Sequence, residues 1–416
     1  MRSGTFTCIL GGLVVSFIVH MSGAAVIGTA GIEPANITAD AIWTGLGVDD
    51  RWGNPANWAD GRVPTLNDRV IKDPTFDWHQ NWPHSRQVTV TIDSSAQAGD
   101  WTLYHFGAPP GYPFKQIRIV PGADVRLGTE NLDLPSQSKR TYVQTGGTHR
   151  ADEFTLRGGE YHLEGGTLIA GTITATPDAG VFSMIDGHTE VGQLVVTVFP
   201  TYGPGLFRVG GTADVHVTEQ FLLRAVAPQT PRTEFTRPIY MDGADFKSEC
   251  YFGPWWEPQF VPLDPLNNMH LVFRGGLADV ALLEVSTFDT SSNDAAGWSG
   301  MGTIEIGADQ PAYVRLMNEF ASWGVPAADV QYVDTLRIGN GSVLDLNGLM
   351  LYCRTLDNQG GTFLNGQPIV VPEPATLAPW LLAAVAMRRR RRRPDSWSPR
   401  GTRLTRDGTA VNTTIH

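Results

Sequence analysis

The sequence predicts an all-β protein organised as a right-handed β-solenoid, in which parallel β-helix-like coils stack into a rod. Turn residues are abundant, with 46 glycines and 28 prolines among 416 residues, and this composition favours many short strands over long helices. The body of the chain contains short alternating runs of Val, Ile, Thr and Leu, whereas apolar residues at helical spacing are not sustained. A short aromatic-to-Gly-to-Thr pattern also recurs four times in order. We expect a signal peptide before this domain and an anchor helix after it.

The chain begins with a segment typical of a secretory signal peptide, which we assign to residues 1–30. Arg2 precedes an apolar centre at residues 8–19, and small residues follow it. A basic start, a short apolar core and a small-residue cleavage site are the parts of such a signal. We therefore expect export from the cytoplasm, with cleavage after Ala25 or Ala30. The alternative is an uncleaved anchor helix.

Residues 31–140 are predicted to form a tryptophan-rich capping region and the first rungs of the solenoid. Trp43, Trp52 and Trp58 fall within sixteen residues of one another. The first rung of a solenoid has an open edge that must be covered, and large aromatic side chains with Gly, Asn and Pro turns suit that task. Exposed indoles also stack on sugar rings, so carbohydrate contact is the other interpretation. We favour capping.

The solenoid repeats are assigned to residues 141–285. The repeated segments begin at Tyr142, Tyr161, Phe182 and Phe207, which are 19, 21 and 25 residues apart. This period suits one coil of a β-solenoid, with glycine at the corners where φ is positive. We expect the leading aromatic residues to stack as ladders inside the coils. The alternative is a β-sandwich with incidental Gly-Gly turns.

Residues 286–366 continue the same pattern, and we predict C-terminal β rungs with an irregular insertion. Asn-Gly dipeptides that begin at Asn340, Asn347 and Asn365 are typical turn residues between strands.

Two cysteines, Cys250 and Cys353, remain after the signal peptide. In an oxidising compartment they can form a disulfide. Since 103 positions separate them, two buried free thiols are an equal alternative.

Residues 367–393 differ in composition from the rest of the chain. Pro372, Glu373 and Pro374 precede a short apolar run, which as a helix would be about 20 Å long against a hydrocarbon core of about 30 Å. Basic residues after such a run favour the cytoplasmic side. We expect residues 394–416 to be a disordered tail. The expected anchor residues are Leu377, Trp380, Leu381, Leu382 and Val385, and the topology signal is Arg388, Arg389, Arg390, Arg391, Arg392 and Arg393.

This order of motif, apolar run and arginine cluster resembles the PEP-CTERM sorting signal of bacterial envelope proteins. The resemblance implies that an exosortase, a membrane cysteine transpeptidase, processes the chain near the motif after a transient stay in the inner membrane. It further implies a cell-surface or matrix protein of a bacterium that makes exopolysaccharide. The Gly-Gly-Thr repeats resemble autotransporter-associated β-strand repeats. Two departures from the family pattern are Pro379 within the apolar run and the tail after the arginines.

Charge argues against a nucleic-acid partner. The net charge is −11, and residues 388–416 hold nine arginines and two aspartates, so the preceding residues carry −18. An acidic body repels the phosphate backbone.

The sequence gives no residue a catalytic role, and we expect neither a cofactor nor a metal. His149, His162, His188 and His216 lie at different distances after their leading aromatic residues, namely 7, 1, 6 and 9. No stacked histidine ladder is therefore implied. We expect a structural or adhesive protein of the cell envelope, cell surface or extracellular space rather than an enzyme. The alternative is a secreted β-helix polysaccharide lyase, glycosidase or carbohydrate-binding protein, in which opposed carboxylates would act.

Overall fold

The structure is a computed structural model, and β-strand is the main secondary structure among the residues it describes. The described residues are 6–10, 13–17, 39–72, 88–104, 115–133, 141–176, 180–198, 205–226, 232–251, 268–284, 301–318 and 330–371. They contain 25 strands and one short 3-10 helix, Pro55–Asn57, so the all-β prediction is confirmed. The strands are β1 (Phe6–Leu10), β2 (Leu13–Phe17), β3 (Ala39–Trp43), β4 (Asp68–Lys72), β5 (Val88–Ile92), β6 (Ser95–Tyr104), β7 (Lys115–Ile119), β8 (Asp124–Asp133), β9 (Thr141–Arg157), β10 (Glu160–Thr176), β11 (Val181–Val198), β12 (Leu206–Val209), β13 (Asp214–Val226), β14 (Arg232–Phe235), β15 (Ile239–Asp242), β16 (Asp245–Tyr251), β17 (His270–Arg274), β18 (Gly276–Glu284), β19 (Met301–Ile306), β20 (Ala312–Met317), β21 (Val330–Ile338), β22 (Val343–Asp345), β23 (Met350–Asn358), β24 (Thr362–Leu364) and β25 (Ile369–Val370).

Strand pairing among the described residues is parallel, apart from the antiparallel β1–β2 pair and an isolated bridge between Trp43 and Trp58. Each strand pairs with the strands that precede and follow it by one repeat, as β10 does with β9 and β11. The pairs fall into three ladders. The first contains β5, β7, the first parts of β9, β10 and β11, and then β12 and β14.

The second and third ladders run through the later parts of the same long strands. The second ladder starts at β6 and β8, passes through the middle of β9 to β11 and the start of β13, and continues through β15, β17, β19, β21 and β23. The third uses the final parts of β6, β8, β9, β10, β11 and β13, and continues through β16, β18, β20, β22 and β24. The long strands β9, β10 and β11 therefore each contribute one segment to every ladder.

Side chains alternate between the interior and the outer face along each strand, as the period of two requires. In β12, Phe207 and Val209 are buried, whereas Leu206 and Arg208 are partly exposed. The buried residues of all three ladders belong to one apolar core.

The predicted aromatic ladder is confirmed in the first ladder. Tyr142, Tyr161, Phe182 and Phe207 are paired in register and are almost completely buried. Their successive ring centroids are 5.1, 5.3 and 5.8 Å apart. Offset aromatic contacts at such distances stabilise the core beyond the burial of apolar area.

Glycine occupies the corners of the repeats because the backbone there has positive φ. Gly166 and Gly187 have φ values of +86° and +85°. They also lie directly above one another, since a Cβ atom on Gly187 would be 2.5 Å from the carbonyl oxygen of Gly166. The predicted Asn-Gly turns are also seen at Asn347 and Asn365, which both have φ of +53°.

Strands occur within the two terminal segments that we assigned to the signal peptide and to the sorting signal. Strands β1 and β2 lie within the expected signal peptide and pair with each other; the other residues of that segment are outside the described ones. At the C-terminal end the sheet extends to Val371, whose N–H donates to the carbonyl oxygen of Cys353 at 2.8 Å. The first residues of the segment that we assigned to the sorting signal therefore belong to the sheet. The expected anchor helix and tail lie outside the described residues.

Replacing Gly187 with Ala should destabilise the protein more than replacing Gly122 with Ala. Both positions have positive φ, of +85° and +90°, so both variants carry about 1–2 kcal/mol of left-handed strain. A Cβ atom on Gly122 would meet nothing within 4 Å, whereas one on Gly187 would meet backbone. Urea denaturation should therefore show a further loss of at least about 1 kcal/mol for Gly187→Ala. Equal losses would contradict close stacking of the corners.

Candidate functional site

A cluster of ionisable side chains lies on the outer face of the second ladder, where β11 pairs with β13. His188 of β11 is paired in register with Asp214 of β13, and His216 lies two residues further along β13. Alternate residues of a strand point to the same face. All three side chains are partly exposed.

The carboxylate of Asp214 lies between the two imidazoles. Its Oδ2 atom is 3.0 Å from Nδ1 of His188, and its Oδ1 atom is 2.9 Å from Nε2 of His216. The centroids of the two imidazole rings are 5.1 Å apart. One carboxylate oxygen thus faces each ring.

A second carboxylate approaches the cluster from the next strands of the ladder. Nδ1 of His216 is 2.8 Å from Oδ2 of Asp242. Asp242 is paired in register with Arg274 and accepts hydrogen bonds from Arg274 Nε at 2.7 Å and Nη2 at 3.2 Å. Arg274 Nη2 also lies 2.8 Å from Nδ1 of His216. The Tyr240 ring stacks on His216, with centroids 5.0 Å apart, and lies 4.2 Å below the guanidinium.

These contacts favour the charged forms of the cluster. The hydrogen bond to Asp242 raises the pKa of His216, while burial opposes the increase. Burial disfavours the Asp214 anion, but the hydrogen bonds and charges of the two histidines outweigh it and lower the pKa of Asp214. Burial likewise opposes ionisation of Asp242, and His216 and Arg274 together lower its pKa. The geometry therefore favours the ionised forms of Asp214, His216 and Asp242 beside the Arg274 guanidinium.

A different ionisable pair lies inside the core. Nε2 of His149 is 2.9 Å from Oε2 of Glu130, and neither side chain is exposed. Neither carboxyl oxygen of Glu130 and neither ring nitrogen of His149 makes a hydrogen bond of good geometry within the described part of the chain, so the 2.9 Å contact is a close approach of the two groups. One repeat further along the chain, the register partner of Glu130 is Phe154 and that of His149 is Leu168. Glu130 and His149 thus replace apolar residues of the interior.

Trp43, Trp52 and Trp58 pack together, with Trp58 in contact with both of the others. Trp52 and Trp58 are only 1% and 3% exposed, their ring centroids are 4.9 Å apart, and Trp58 Nε1 donates to the carbonyl oxygen of Trp52 at 2.9 Å. Trp43 is partly buried and lies 5.0 Å from Trp58. Stacking on sugar needs an open indole face, so burial removes the basis for carbohydrate contact at Trp52 and Trp58. The packing is of the kind that the capping interpretation requires.

A clamp between Arg62 and Asp68 fixes the segment that follows the tryptophans. Arg62 Nη1 and Nη2 donate to the two carboxylate oxygens of Asp68 at 2.6 and 2.8 Å, and Thr65 donates to Oδ2 from both its N–H and its hydroxyl. The hydrogen bond from Arg62 lowers the pKa of Asp68 to about 2, although burial opposes it. Such bidentate pairs hold a fixed geometry.

Cys353 is a free, buried cysteine, and burial raises its thiol pKa. It therefore corresponds to the free-thiol alternative and not to the disulfide with Cys250, whose side chain lies outside the described residues.

The sorting motif Pro372, Glu373 and Pro374, the expected anchor residues and the arginine cluster also lie outside the described residues. Among the helices that the described residues form, none has the length and hydrophobicity to cross a membrane.

Comparison of the chain with protein-family models, with curated proteins and with solved structures gives no match.

Sequence reasoning missed the outer cluster for an identifiable reason. His188 and His216 do occupy different strand positions, as expected, but they meet diagonally through Asp214. Aligning His188-Thr189-Glu190-Val191 with Asp214-Val215-His216-Val217 would have revealed that contact. Two imidazoles, a shared carboxylate and a second carboxylate behind them can exchange protons and can offer nitrogen and oxygen ligands to a cation.

Replacing His149 with Leu should destabilise the protein by about 3–5 kcal/mol, because the substitution leaves the Glu130 carboxylate buried without its partner. Replacing both residues with Leu should restore most of that loss, since an apolar pair suits the core. His162→Leu is a matched control, because His162 is partly exposed and lies 3.4 Å from Glu160; it should change stability by less than about 1 kcal/mol. Urea denaturation gives the free energy of unfolding of the single variant, the double variant and the control. A double variant as unstable as the single one would refute the ion-pair account.

Asp68→Asn should destabilise the protein by about 2 kcal/mol at neutral pH, because it breaks the bidentate clamp. A carboxyl whose pKa is lowered by folding stabilises the protein above its unfolded pKa of about 3.9. The stability difference between the native protein and the variant should therefore be constant from pH 7 to 5. It should shrink as the pH falls from about 4 towards the folded pKa of about 2.

The matched control is Asp60→Asn, since Asp60 pairs with the same arginine at 3.3 Å but is about half exposed. Asp60→Asn should lower the free energy of unfolding by less than about 1 kcal/mol. An Asp68→Asn effect that does not vary with pH would contradict the clamp.

Proposed function

We propose that this chain is an exported protein of the cell surface or extracellular matrix, with a structural or adhesive role. In this proposal the domain is a right-handed β-solenoid, and an exosortase sorts the chain through Pro372, Glu373 and Pro374. The partners would be the exosortase, transiently the inner membrane, and the exopolysaccharide of the matrix.

The observation that carries the solenoid proposal is the in-register parallel pairing of successive repeats in three ladders. The strands β9, β10 and β11 each contribute to all three along their lengths, and the later repeats continue the second and third ladders. A chain that returns to the same ladder once per repeat and pairs in parallel is readily built as stacked coils. The right hand is expected because connections between parallel strands are overwhelmingly right-handed.

The contacts on the outer face support a rigid role. Arg150 donates to Asp124 at 2.9 Å and Arg208 donates to Glu234 at 2.7 Å, and each pair spans 26 residues. Partners of this kind join neighbouring repeats on the outside, while the aromatic ladder joins them inside. A scaffold held on both sides is suited to display rather than to motion.

The position of the motif supports the sorting proposal. The chain divides into two units, Met1–Val371 and Pro372–His416. Among the described residues, the last sheet contact is at Val371, which directly precedes the motif in the sequence. In this proposal the exosortase therefore acts at a site that follows the last described strand.

The test is mass spectrometry of the C-terminus, on chain produced in a host that has an exosortase and in the same host without it. With the exosortase, the mature chain should end near Pro374, lack the arginine cluster, and be found outside the inner membrane. A Pro372→Ala/Pro374→Ala variant should retain His416 and stay with the membrane fraction.

The matched control is Pro394→Ala/Pro399→Ala, which changes two prolines downstream of the arginines. This variant should be processed like the native chain. A soluble extracellular chain with an intact C-terminus at His416 would overturn the sorting proposal, and recovery of the chain from the cytosol would overturn export.

A further inference from the structure

We infer that His188, Asp214 and His216 form a surface site for zinc or a chemically similar divalent transition metal. The inference is independent of the sorting proposal, because it rests on side-chain geometry within the described strands.

The three donor atoms already have spacings close to those of a metal site. His188, Asp214 and His216 each offer one ligand atom, a ring nitrogen or a carboxylate oxygen, and these three atoms lie within 4.8 Å of one another. Each imidazole faces its own oxygen of the Asp214 carboxylate, His188 Nδ1 facing Oδ2 at 3.0 Å and His216 Nε2 facing Oδ1 at 2.9 Å. With metal–ligand distances of about 2.0–2.2 Å, the edge of a tetrahedron is about 3.3 Å long. Rotation of the carboxylate and of the imidazoles, without movement of the strands, would bring one ligand atom from each residue onto one ion.

The donor set selects the class of metal. Imidazole nitrogen suits zinc, copper, nickel and iron, whereas calcium and magnesium prefer sites made only of oxygen. Two histidines with one carboxylate give three protein ligands to zinc. The partial exposure of His188 and Asp214, whose side chains are 40% and 47% accessible, leaves the fourth position open to water.

The surroundings of His216 resemble the support that bound metals require. A metal-ligating histidine commonly donates its second ring N–H to a carboxylate, which fixes the tautomer and the ring orientation. Oδ2 of Asp242 and Nη2 of Arg274 both lie 2.8 Å from Nδ1 of His216. With the Nδ1 proton directed at Asp242, Nε2 is the nitrogen that faces Asp214 and would bind the metal. Asp242 is itself held by two hydrogen bonds from Arg274. These two hydrogen bonds hold the Asp242 carboxylate in place and favour its ionised form.

The backbone also holds the ligands in place. Asp214 and His188 are register partners in a parallel ladder, and strands position a site more firmly than loops do. A bound ion would join β11 to β13 across two successive repeats. Since the ion binds only the folded state, it should stabilise the protein by mass action.

The test uses the full chain after treatment with a chelator. Isothermal titration with zinc chloride should show one site, and X-ray absorption at the zinc edge should show two imidazole nitrogens among nitrogen and oxygen ligands. Zinc should raise the thermal unfolding temperature, whereas calcium chloride should not. Asp214→Ala and His216→Ala should each abolish both the titration heat and the zinc-dependent increase.

Matched controls distinguish the site from other surface histidines. His162→Ala and His270→Ala each remove a partly exposed histidine that faces one glutamate, at 3.4 Å in both cases. Both variants should bind zinc as the native chain does. Circular dichroism should confirm that every variant retains its strand content.

Asp242→Asn tests the support of His216. Loss of such a carboxylate partner weakens metal binding by about 10–100-fold, so zinc affinity should fall by that factor with the three ligands unchanged. The proposal is overturned by native chain that shows no zinc site. It is also overturned by folded Asp214→Ala or His216→Ala variants that bind as tightly as the His162→Ala control, or by calcium that binds as well as zinc.

Discussion

Backbone hydrogen bonding between strands one repeat apart constrains every other feature of the structure. A parallel ladder requires each residue to lie over its register partner, about 4.8 Å away. Side chains of like type therefore stack in columns, with apolar columns inside and polar columns outside. The aromatic column from Tyr142 to Phe207 is one consequence. The glycine corners are another, because at Gly187 the backbone of the preceding repeat leaves no room for a Cβ atom.

The same stacking explains how polar groups gather without any motif in the sequence. Residues that are 26 positions apart become neighbours, as His188 and Asp214 do on the outer face. Inside, the columns admit an ionisable pair at Glu130 and His149, whose register partners one repeat further along are apolar. Such a pair adds little net stability but is costly to break. Repeat proteins can thus vary single positions of a column while the backbone pattern is retained.

Much of the fold could be predicted, because the aromatic and glycine positions are governed by the local repeat itself. The aromatic residues that begin the repeats, such as Tyr142 and Tyr161, and the Asn-Gly turn at Asn347 follow from short-range patterns.

The polar clusters could not be predicted in the same way. Repeat lengths vary, so the partner of His216 depends on a register that is fixed only by folding. Whether Glu130 faces inward or outward cannot be read from its own strand, since a glutamate there looks like a surface residue. Trp52 and Trp58 show a related limit, because an indole in a turn-rich segment is compatible with a cap, which the sequence favours, and also with a sugar contact.

The most direct test of the account is disulfide formation between outward positions of neighbouring repeats. Thr172 is the register partner of Gln193, which is in turn the partner of Gln220. Disulfides need Cα atoms about 4.4–6.8 Å apart, so cysteines at 172 and 193, in a chain whose native cysteines are replaced by alanine, should cross-link readily and leave the fold intact. Cysteines at 172 and 220, two repeats and about 9.6 Å apart, should not. Cross-linking of the 172/220 pair as fast as the 172/193 pair would contradict the one-repeat register.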